Sequence, residues 1–171
     1  DTLFIMMSLN ENFSTARIRR YLDLAKDMGG AEAVVVVTKV DLRQDGDEEF
    51  FDELREEVGK DARILQISSL TGEGMDEVME YVKPGRTLAF IGSSGVGKST
   101  LLNTLMGEEW QATQEIQEWS GKGRHTTTSR ELVMLPSGAM VIDTPGIREI
   151  GMLGEMDDLQ AKGESTHRYR K

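Results

Sequence analysis

Residues 91–100, Ile-Gly-Ser-Ser-Gly-Val-Gly-Lys-Ser-Thr, combine glycines, a lysine and hydroxyl groups at a spacing that suits phosphate binding. Gly92, Gly97, Lys98 and Ser99 fit the pattern G-x-x-x-x-G-K-[ST]. The glycines let the chain turn tightly, so that its N–H groups face a phosphate at the positively polarised start of a helix. Lys98 adds a full charge for the β and γ oxygens, and the Ser99 hydroxyl can ligate Mg²⁺. The expected binding residues are Gly92, Ser93, Ser94, Gly95, Val96, Gly97, Lys98, Ser99 and Thr100.

The sequence on both sides of this loop supports the interpretation. Thr87–Ile91 is a short apolar run that predicts a buried strand, and Lys98–Met106 predicts a helix that ends before Gly107. A turn rich in glycine and serine can match the pattern by accident. A complete match between a strand and a helix favours a nucleotide-phosphate site instead.

A second segment with possible chemistry is Thr38-Lys39-Val40-Asp41, which follows the unbroken apolar run 33–37. Such a run predicts a central parallel strand covered on both faces, and ligands bind beyond the carboxyl ends of such strands. The Asp41 carboxylate can accept two hydrogen bonds from the ring N–H and the amine of guanine, and the Lys39 stem can lie across the base. T-K-x-D alone is a weak match, for which a solvated turn is the alternative.

A third segment, Ser68-Ser69-Leu70, follows the predicted strand 63–67. This loop can direct a backbone N–H at the guanine O6 atom. Because it also follows a strand of the same predicted sheet, it strengthens the guanine interpretation of Asp41.

A fourth segment, Asp143-Thr144-Pro145-Gly146, follows the predicted strand 139–142. Here Asp143 would hold Mg²⁺ through a water molecule, and the Gly146 N–H would meet the γ-phosphate. A simple Pro-Gly turn is the alternative, and it would explain Gly146 but not Asp143.

Residues 107–129 are polar and without clear periodicity, which predicts a mobile loop. One threonine of the cluster 126–128 would complete the Mg²⁺ shell when the γ-phosphate is present, and we favour Thr127. His125 is a candidate for orienting an attacking water, and an exposed loop histidine is an equally good interpretation. Arg124 is a candidate for contacting phosphate or RNA, and a solvated loop arginine is at least as good an interpretation.

The composition sets limits on the class of protein. The chain has 171 residues, a net charge of −10 and no cysteine. This length suits one domain with a real core, and the charge opposes unspecific binding to a nucleic-acid backbone. An RNA partner would need a local basic patch or another domain. The absence of cysteine excludes a cysteine zinc site within these residues and fits a cytoplasmic enzyme. No run is long enough for a membrane span.

Strands alternate with helical patterns along the chain, which predicts an α/β fold with a doubly wound, mainly parallel sheet. The first strand is expected at 3–7, and Ser14 is expected to cap the first helix. A strand pair is expected on either side of the turn 136–138. Two apolar stripes are expected in the core: Phe50, Phe51, Leu54 and Val58, and then Met75, Val78, Met79 and Val82.

The order of these segments resembles that of circularly permuted GTPases. Ras-like GTPases begin with the phosphate loop, whereas here T-K-V-D and S-S-L precede it and D-T-P-G follows it. Three motifs are most similar to those of the RsgA/YjeQ family, the ribosome small-subunit-dependent GTPases: G-S-S-G-V-G-K-S-T, G-R-H-T-T-T and D-T-P-G-I-R-E-I-G. The likeness covers most of residues 1–152, which are expected to be a circularly permuted GTPase domain with the P-loop fold. Residues 153–171 are expected to be a tail or the remnant of a further domain.

This resemblance implies a GTP hydrolase that acts as a nucleotide-dependent switch in late assembly of the small ribosomal subunit. Thr38 stands where most GTPases have Asn, and Ile147 stands where Ras-like enzymes have the Gln that orients water. We therefore expect slow intrinsic hydrolysis, stimulated by the subunit. The residues expected to act on the phosphate bond are Lys98, His125, Thr127 and Gly146.

Members of the family carry an OB-fold domain before the GTPase domain and a zinc domain after it. Because the chain begins at Asp1 without a Met and shows neither domain, we expect a fragment of a longer protein. The flanking domains would make most of the rRNA contacts, and the fragment itself is expected to be a monomer that binds GTP or GDP with Mg²⁺.

Three alternatives stay open. The chain could be a GTP-gated binding module in which hydrolysis only resets the state. It could be an ATPase or a small-molecule kinase that shares the phosphate loop, in which case Asp41 would not select guanine. It could also be a permuted GTPase with another ribosomal partner, such as the large subunit.

Overall fold

The computed structural model describes residues 1–9, 14–27, 29–93, 95–107 and 131–143, apart from the side chains of Glu131 and Asp143. Within these ranges it contains six strands, four α-helices and one short 3-10 helix. In chain order they are β1 (Thr2–Ser8), α1 (Thr15–Asp27), β2 (Glu32–Thr38), the 3-10 helix (Val40–Leu42), α2 (Asp47–Val58), β3 (Arg63–Gln66), α3 (Met75–Met79), β4 (Thr87–Ile91), α4 (Lys98–Met106), β5 (Glu131–Met134) and β6 (Met140–Asp143). Of the helices in the described ranges, none has the length and apolar character that a membrane span requires.

All six strands belong to one sheet, with the spatial order β3-β2-β1-β4-β6-β5. Every neighbouring pair is parallel except β5 and β6, which form the predicted antiparallel pair. The direction of winding reverses between β1 and β4, because β2 and β3 extend the sheet on one side and β6 and β5 on the other. The predicted doubly wound, mainly parallel α/β fold is confirmed.

The apolar run in β2 explains why this strand lies inside the sheet. Val34, Val35, Val36 and Val37 are all fully buried. Successive side chains of a strand point to opposite faces, so the run supplies two separate cores. Val35 and Val37 pack with residues of α1 and α2, whereas Val34 and Val36 pack on the face covered by α3 and α4.

The first apolar stripe lies where the sequence predicts it. Phe51, Leu54 and Val58 of α2 are buried, and Phe50 is half-buried against the same core.

The predicted cap of α1 is also present. The Arg17 N–H donates to Ser14 Oγ at 3.4 Å, so Ser14 caps the start of the helix.

The second stripe is predicted correctly only in part. Val78 and Val82 are buried, but Met79 is 45% exposed, so its assignment to the core is wrong. The reason is the turn of the helix: with Val78 facing the sheet, the next residue, Met79, is rotated by about 100° away from it. α3 ends at Met79 and does not continue to Val82.

Candidate nucleotide-binding site

The candidate residues come together at one edge of the sheet, where the parallel strands end. The loop predicted to bind phosphate (the phosphate loop, residues 92–97) follows β4. The two loops predicted to contact the base follow β2 (the first base loop, 39–43) and β3 (the second base loop, 68–74). β1 separates β2 from β4, and the backbone of Asp143 ends β6 at the same edge. In open α/β sheets this edge, next to the point where the winding reverses, is where ligands bind.

Glycine is required at Gly92 because the phosphate loop lies directly against β1. A Cβ atom at this position would be 2.4 Å from the carbonyl oxygen of Met6. The loop ends at Gly97, whose φ of 98° turns the chain into α4. The first N–H groups of α4 therefore point toward the loop, as phosphate binding requires.

The Lys98 side chain folds back over the phosphate loop. Its Nζ donates hydrogen bonds to the carbonyl oxygen of Gly92 and, at 2.6 Å, to that of Ser93. Lys98 is half-buried, while Ser99 and Thr100 in the first turn of α4 are exposed. A bound phosphate would offer Lys98 anionic oxygens in place of neutral carbonyls, and such charge-assisted hydrogen bonds are stronger.

Thr38 makes a contact that the sequence does not predict. It is buried at the end of β2, and its Oγ1 lies 2.7 Å from the Val96 carbonyl oxygen and 3.1 Å from that of Met7. The hydroxyl therefore connects the base side of the edge to the backbone of the phosphate loop. The T-K-x-D pattern singles out Thr38, but it does not indicate the hydrogen-bond partner, which is 58 positions away in the sequence.

The first base loop holds a strained residue. Lys39 has φ 60° and ψ 36°, the left-handed conformation, and among the described residues other than glycine it alone has a positive φ. The loop around it is fixed by its neighbours: Val40 is buried, and its N–H donates to the Ile67 carbonyl at 3.2 Å. The Asp41 side chain is exposed, which leaves its carboxylate available to a ligand.

Arg43 fastens the end of the same loop, and nothing in the sequence pattern points to this role. Its guanidinium donates a hydrogen bond to the Gln66 side chain at the end of β3. It also lies over the ring of Phe51, with its Cζ atom 5.1 Å from the centroid. The first base loop is thus tied to both β3 and α2.

The second base loop is closed on itself around Ser68. Its Oγ accepts hydrogen bonds from the N–H groups of Leu70 and Thr71, both at 3.2 Å. Gly74 ends the loop beside β3, where an added Cβ would lie 2.0 Å from the Gln66 carbonyl oxygen. The side chain of Leu70 is 86% exposed, so it projects from the edge of the sheet.

Part of the predicted site lies outside the described residues. This holds for the Asp143 side chain and for Ser94, Arg124, His125, Thr127, Gly146 and Ile147. Within the part of the chain that the structure describes, no three His, Asp or Glu side chains form a metal-binding cluster. The oxygen donors predicted at this edge, a hydroxyl of Ser99 and a carboxylate of Asp143, are of the type that suits Mg²⁺ when phosphate oxygens and waters complete its shell.

A glycine-rich loop that ends in Gly-Lys-Ser, between a parallel strand and a helix, defines the class of P-loop nucleotide-binding proteins. Residues 1–153 match the sequence profile of the RsgA GTPase family. The chain belongs to this family, as its segments predicted.

The names of curated relatives agree with this family assignment. The chain is 47% identical over 165 residues to small ribosomal subunit biogenesis GTPase RsgA 2 of Lactiplantibacillus plantarum, covering 95% of this chain and 46% of that protein. It is 44% identical over 155 residues to small ribosomal subunit biogenesis GTPase RsgA of Leptospira interrogans, covering 91% and 42%. The chain thus spans about half the length of the curated relatives it matches.

Two solved structures share the fold. YjeQ from Thermotoga maritima superposes with a TM-score of 0.67 and 32% identity, covering 85% of this chain and 47% of that one. YloQ, described as a circularly permuted GTPase, superposes with a TM-score of 0.55 and 27% identity, covering 85% and 44%. The predicted permuted arrangement of the P-loop fold is confirmed.

Proposed function

We propose that this chain binds and hydrolyses GTP and acts as a nucleotide-dependent switch in biogenesis of the small ribosomal subunit. The observation that carries the proposal is that two base loops and a phosphate loop lie along one edge of the sheet, linked by Thr38. The names of the curated relatives support the ribosomal role.

Guanine selection is assigned to the two base loops. Asp41 would accept hydrogen bonds from the ring N–H and the amine of the base, because its carboxylate is exposed on a loop whose backbone is fixed through Val40. The Lys39 stem would cover one face of the base. The loop 68–70 would direct a backbone N–H at O6, and adenine would leave the Asp41 carboxylate without these donors.

The phosphate groups are assigned to residues 92–100, with the N–H groups of the loop and the Lys98 charge facing the β and γ oxygens. Ser99 would ligate Mg²⁺ directly, Asp143 would do so through a water, and Thr127 would complete the shell. The ion would neutralise charge on the phosphate oxygens.

Hydrolysis of the γ-phosphoryl bond depends on positioning a water molecule and stabilising charge. Lys98 and the Gly146 N–H would stabilise the charge on the γ oxygens, and His125 would orient the attacking water. Ile147 has no polar group with which to orient water, so intrinsic turnover would be slow. Contact with the small subunit would then raise it.

Residues 1–152 are proposed to be the GTPase domain, and residues 153–171 a tail or the remnant of a further domain. Contacts with rRNA would come mainly from flanking OB-fold and zinc domains like those expected in the family, because the chain has a net charge of −10. The domain would act in the cytoplasm as a monomer.

The test is GTP turnover with and without purified small ribosomal subunits. It is run on this chain and on full-length RsgA 2 of Lactiplantibacillus plantarum, with purified large subunits as the control. We expect small subunits to raise turnover of the full-length protein and GDP, but not ADP, to compete for the site. Strong competition by ADP would indicate an ATPase or a kinase. Single-turnover rates of GTP hydrolysis are compared with the rate of release from the subunit, and hydrolysis that only resets the protein after release would indicate a GTP-gated binding module.

A further inference from the structure

Two arginine side chains lie over the same aromatic ring, and one of them belongs to a base loop. The ring is that of Phe51 in α2, a residue that is buried in the core. The Arg43 Cζ atom lies 5.1 Å from the ring centroid, and the Arg55 Cζ atom lies 6.0 Å from it. A guanidinium at such a distance is attracted to the ring, so the two residues share one kind of contact.

The other contact of each arginine is different. Arg55 pairs with Asp52 within α2, and the distance from Nη1 to Oδ1 is 2.7 Å. Arg43, the last residue of the first base loop, donates a hydrogen bond to the Gln66 side chain in β3. Both arginines are exposed, and exposed contacts of this kind contribute little to the stability of a whole fold. What distinguishes Arg43 is that it joins the base loop to a distant segment of the chain.

The segment that Arg43 reaches supports both base loops. The second base loop returns to β3 at Gln66, where a Cβ atom added to Gly74 would lie 2.0 Å from the Gln66 carbonyl oxygen. The next residue, Ile67, accepts the Val40 N–H of the first base loop at 3.2 Å. The hydrogen bond from Arg43 to Gln66 therefore ends on the piece of backbone against which both base loops lie.

Asp41 lies between the two anchors of the first base loop, Val40 before it and Arg43 after it. A ligand that requires one position of the Asp41 carboxylate binds in proportion to the fraction of molecules in which the loop holds that position. We propose that Arg43 is a positioning residue for guanine. It holds the Asp41 segment against β3 and so raises the affinity for the base without contacting the nucleotide. This role rests on the proposed function, because it requires that Asp41 contacts guanine.

The test compares Arg43→Ala with Arg55→Ala, which also removes a guanidinium from the Phe51 ring but leaves the base loop unchanged. Arg43→Ala should raise the KM for GTP and the Kd for GDP about three- to tenfold, the equivalent of one hydrogen bond. Its kcat should stay the same, because Lys98 and the phosphate loop keep their contacts. Arg55→Ala should change none of these three constants. Urea denaturation of both variants verifies that they are folded.

A double-mutant cycle tests whether Arg43 acts through its partner in β3. Gln66→Ala removes the acceptor, so it should raise the Kd for GDP by a factor similar to that of Arg43→Ala. Combining the two substitutions should raise the Kd no further, because both remove the same hydrogen bond.

The unsubstituted chain, measured beside the variants, separates this role from the proposed function. If it binds GDP while Arg43→Ala and Arg55→Ala have equal Kd values, or while the effects of Arg43→Ala and Gln66→Ala add, the role of Arg43 is overturned alone. If the unsubstituted chain binds no GDP, the proposed function and the role of Arg43 are overturned together.

Discussion

The first base loop and the phosphate loop lie on the same edge of the sheet but are held in different ways. The first base loop is fastened to neighbouring segments: the Val40 N–H donates to the Ile67 carbonyl, and the Arg43 guanidinium donates to the Gln66 side chain. The charged group of the phosphate loop, Lys98, is instead held by carbonyl oxygens of that same loop. In the proposed site, the backbone of the first base loop is thus held in place before a ligand arrives, whereas a bound phosphate would have to replace contacts that Lys98 makes with its own loop.

This difference predicts where substitutions act. A change in the phosphate loop should affect binding and turnover for every nucleotide, because all nucleotides present phosphates. A change in the base loops should affect which nucleotide is bound. Thr38, which joins the two regions, should affect the stability of the fold as well.

The largest effect is expected for Lys98→Ala. It removes a full positive charge from the phosphate loop, and losing one such group at a reacting centre lowers turnover by about 100- to 1,000-fold. GTP turnover and the Kd for GTP and ATP are the measurements. Lys83→Ala, which removes an exposed lysine before β4, is the control and should change neither. Equal turnover in the two variants would remove Lys98 from the proposed mechanism.

The next effect in size is expected for Asp41→Asn. The change replaces an acceptor-only carboxylate with a neutral amide. The amide oxygen can still accept from the ring N–H of guanine, but the amide NH2 faces the guanine amine as donor against donor, so GTP affinity should fall about 100-fold. The affinity of the variant for xanthine nucleotides should rise, because xanthine carries an oxygen acceptor where guanine has its amine. Competition by GDP, XDP and ADP measures the change, with Asp45→Asn as the control on an exposed neighbouring carboxylate. An unchanged order of preference would place base selection elsewhere.

A smaller effect, a loss of fold stability, is expected for Thr38→Val, because Thr38 joins the end of β2 to the phosphate loop. The buried Val96 carbonyl loses its donor at 2.7 Å, which should lower the free energy of unfolding by about 1–3 kcal/mol. Urea denaturation measures it. Thr104→Val removes an exposed hydroxyl that donates to the Thr100 carbonyl within α4, and it should cost less. A cost at Thr38 no greater than that at Thr104 would mean that the link between the regions carries little energy.

The sequence predicts the phosphate loop and the strand and helix beside it well because each is a local pattern. The bounds Thr87–Ile91 and Lys98–Met106 are those of β4 and α4. Contacts between distant segments could not be predicted in this way. The bonds from Thr38 to Val96 and from Arg43 to Gln66 depend on which strands become neighbours. The error at Met79 has a different origin: a local apolar period does not show which residues at the edge of the stripe face the sheet.

The smallest effect is expected where the base loop stores strain, at Lys39. A residue with a Cβ in the left-handed conformation costs about 1–2 kcal/mol, and its φ is 60°. Lys39→Gly relieves this cost but frees the unfolded chain by about 0.4–1 kcal/mol, so the unfolding free energy should rise by no more than about 1.6 kcal/mol. Lys39→Val, with a branched Cβ at the same φ, should lower it instead. If the glycine and valine variants denature at the same urea concentration, the left-handed turn is not maintained in solution. In that case the base loop is not preformed, and its contrast with the phosphate loop disappears.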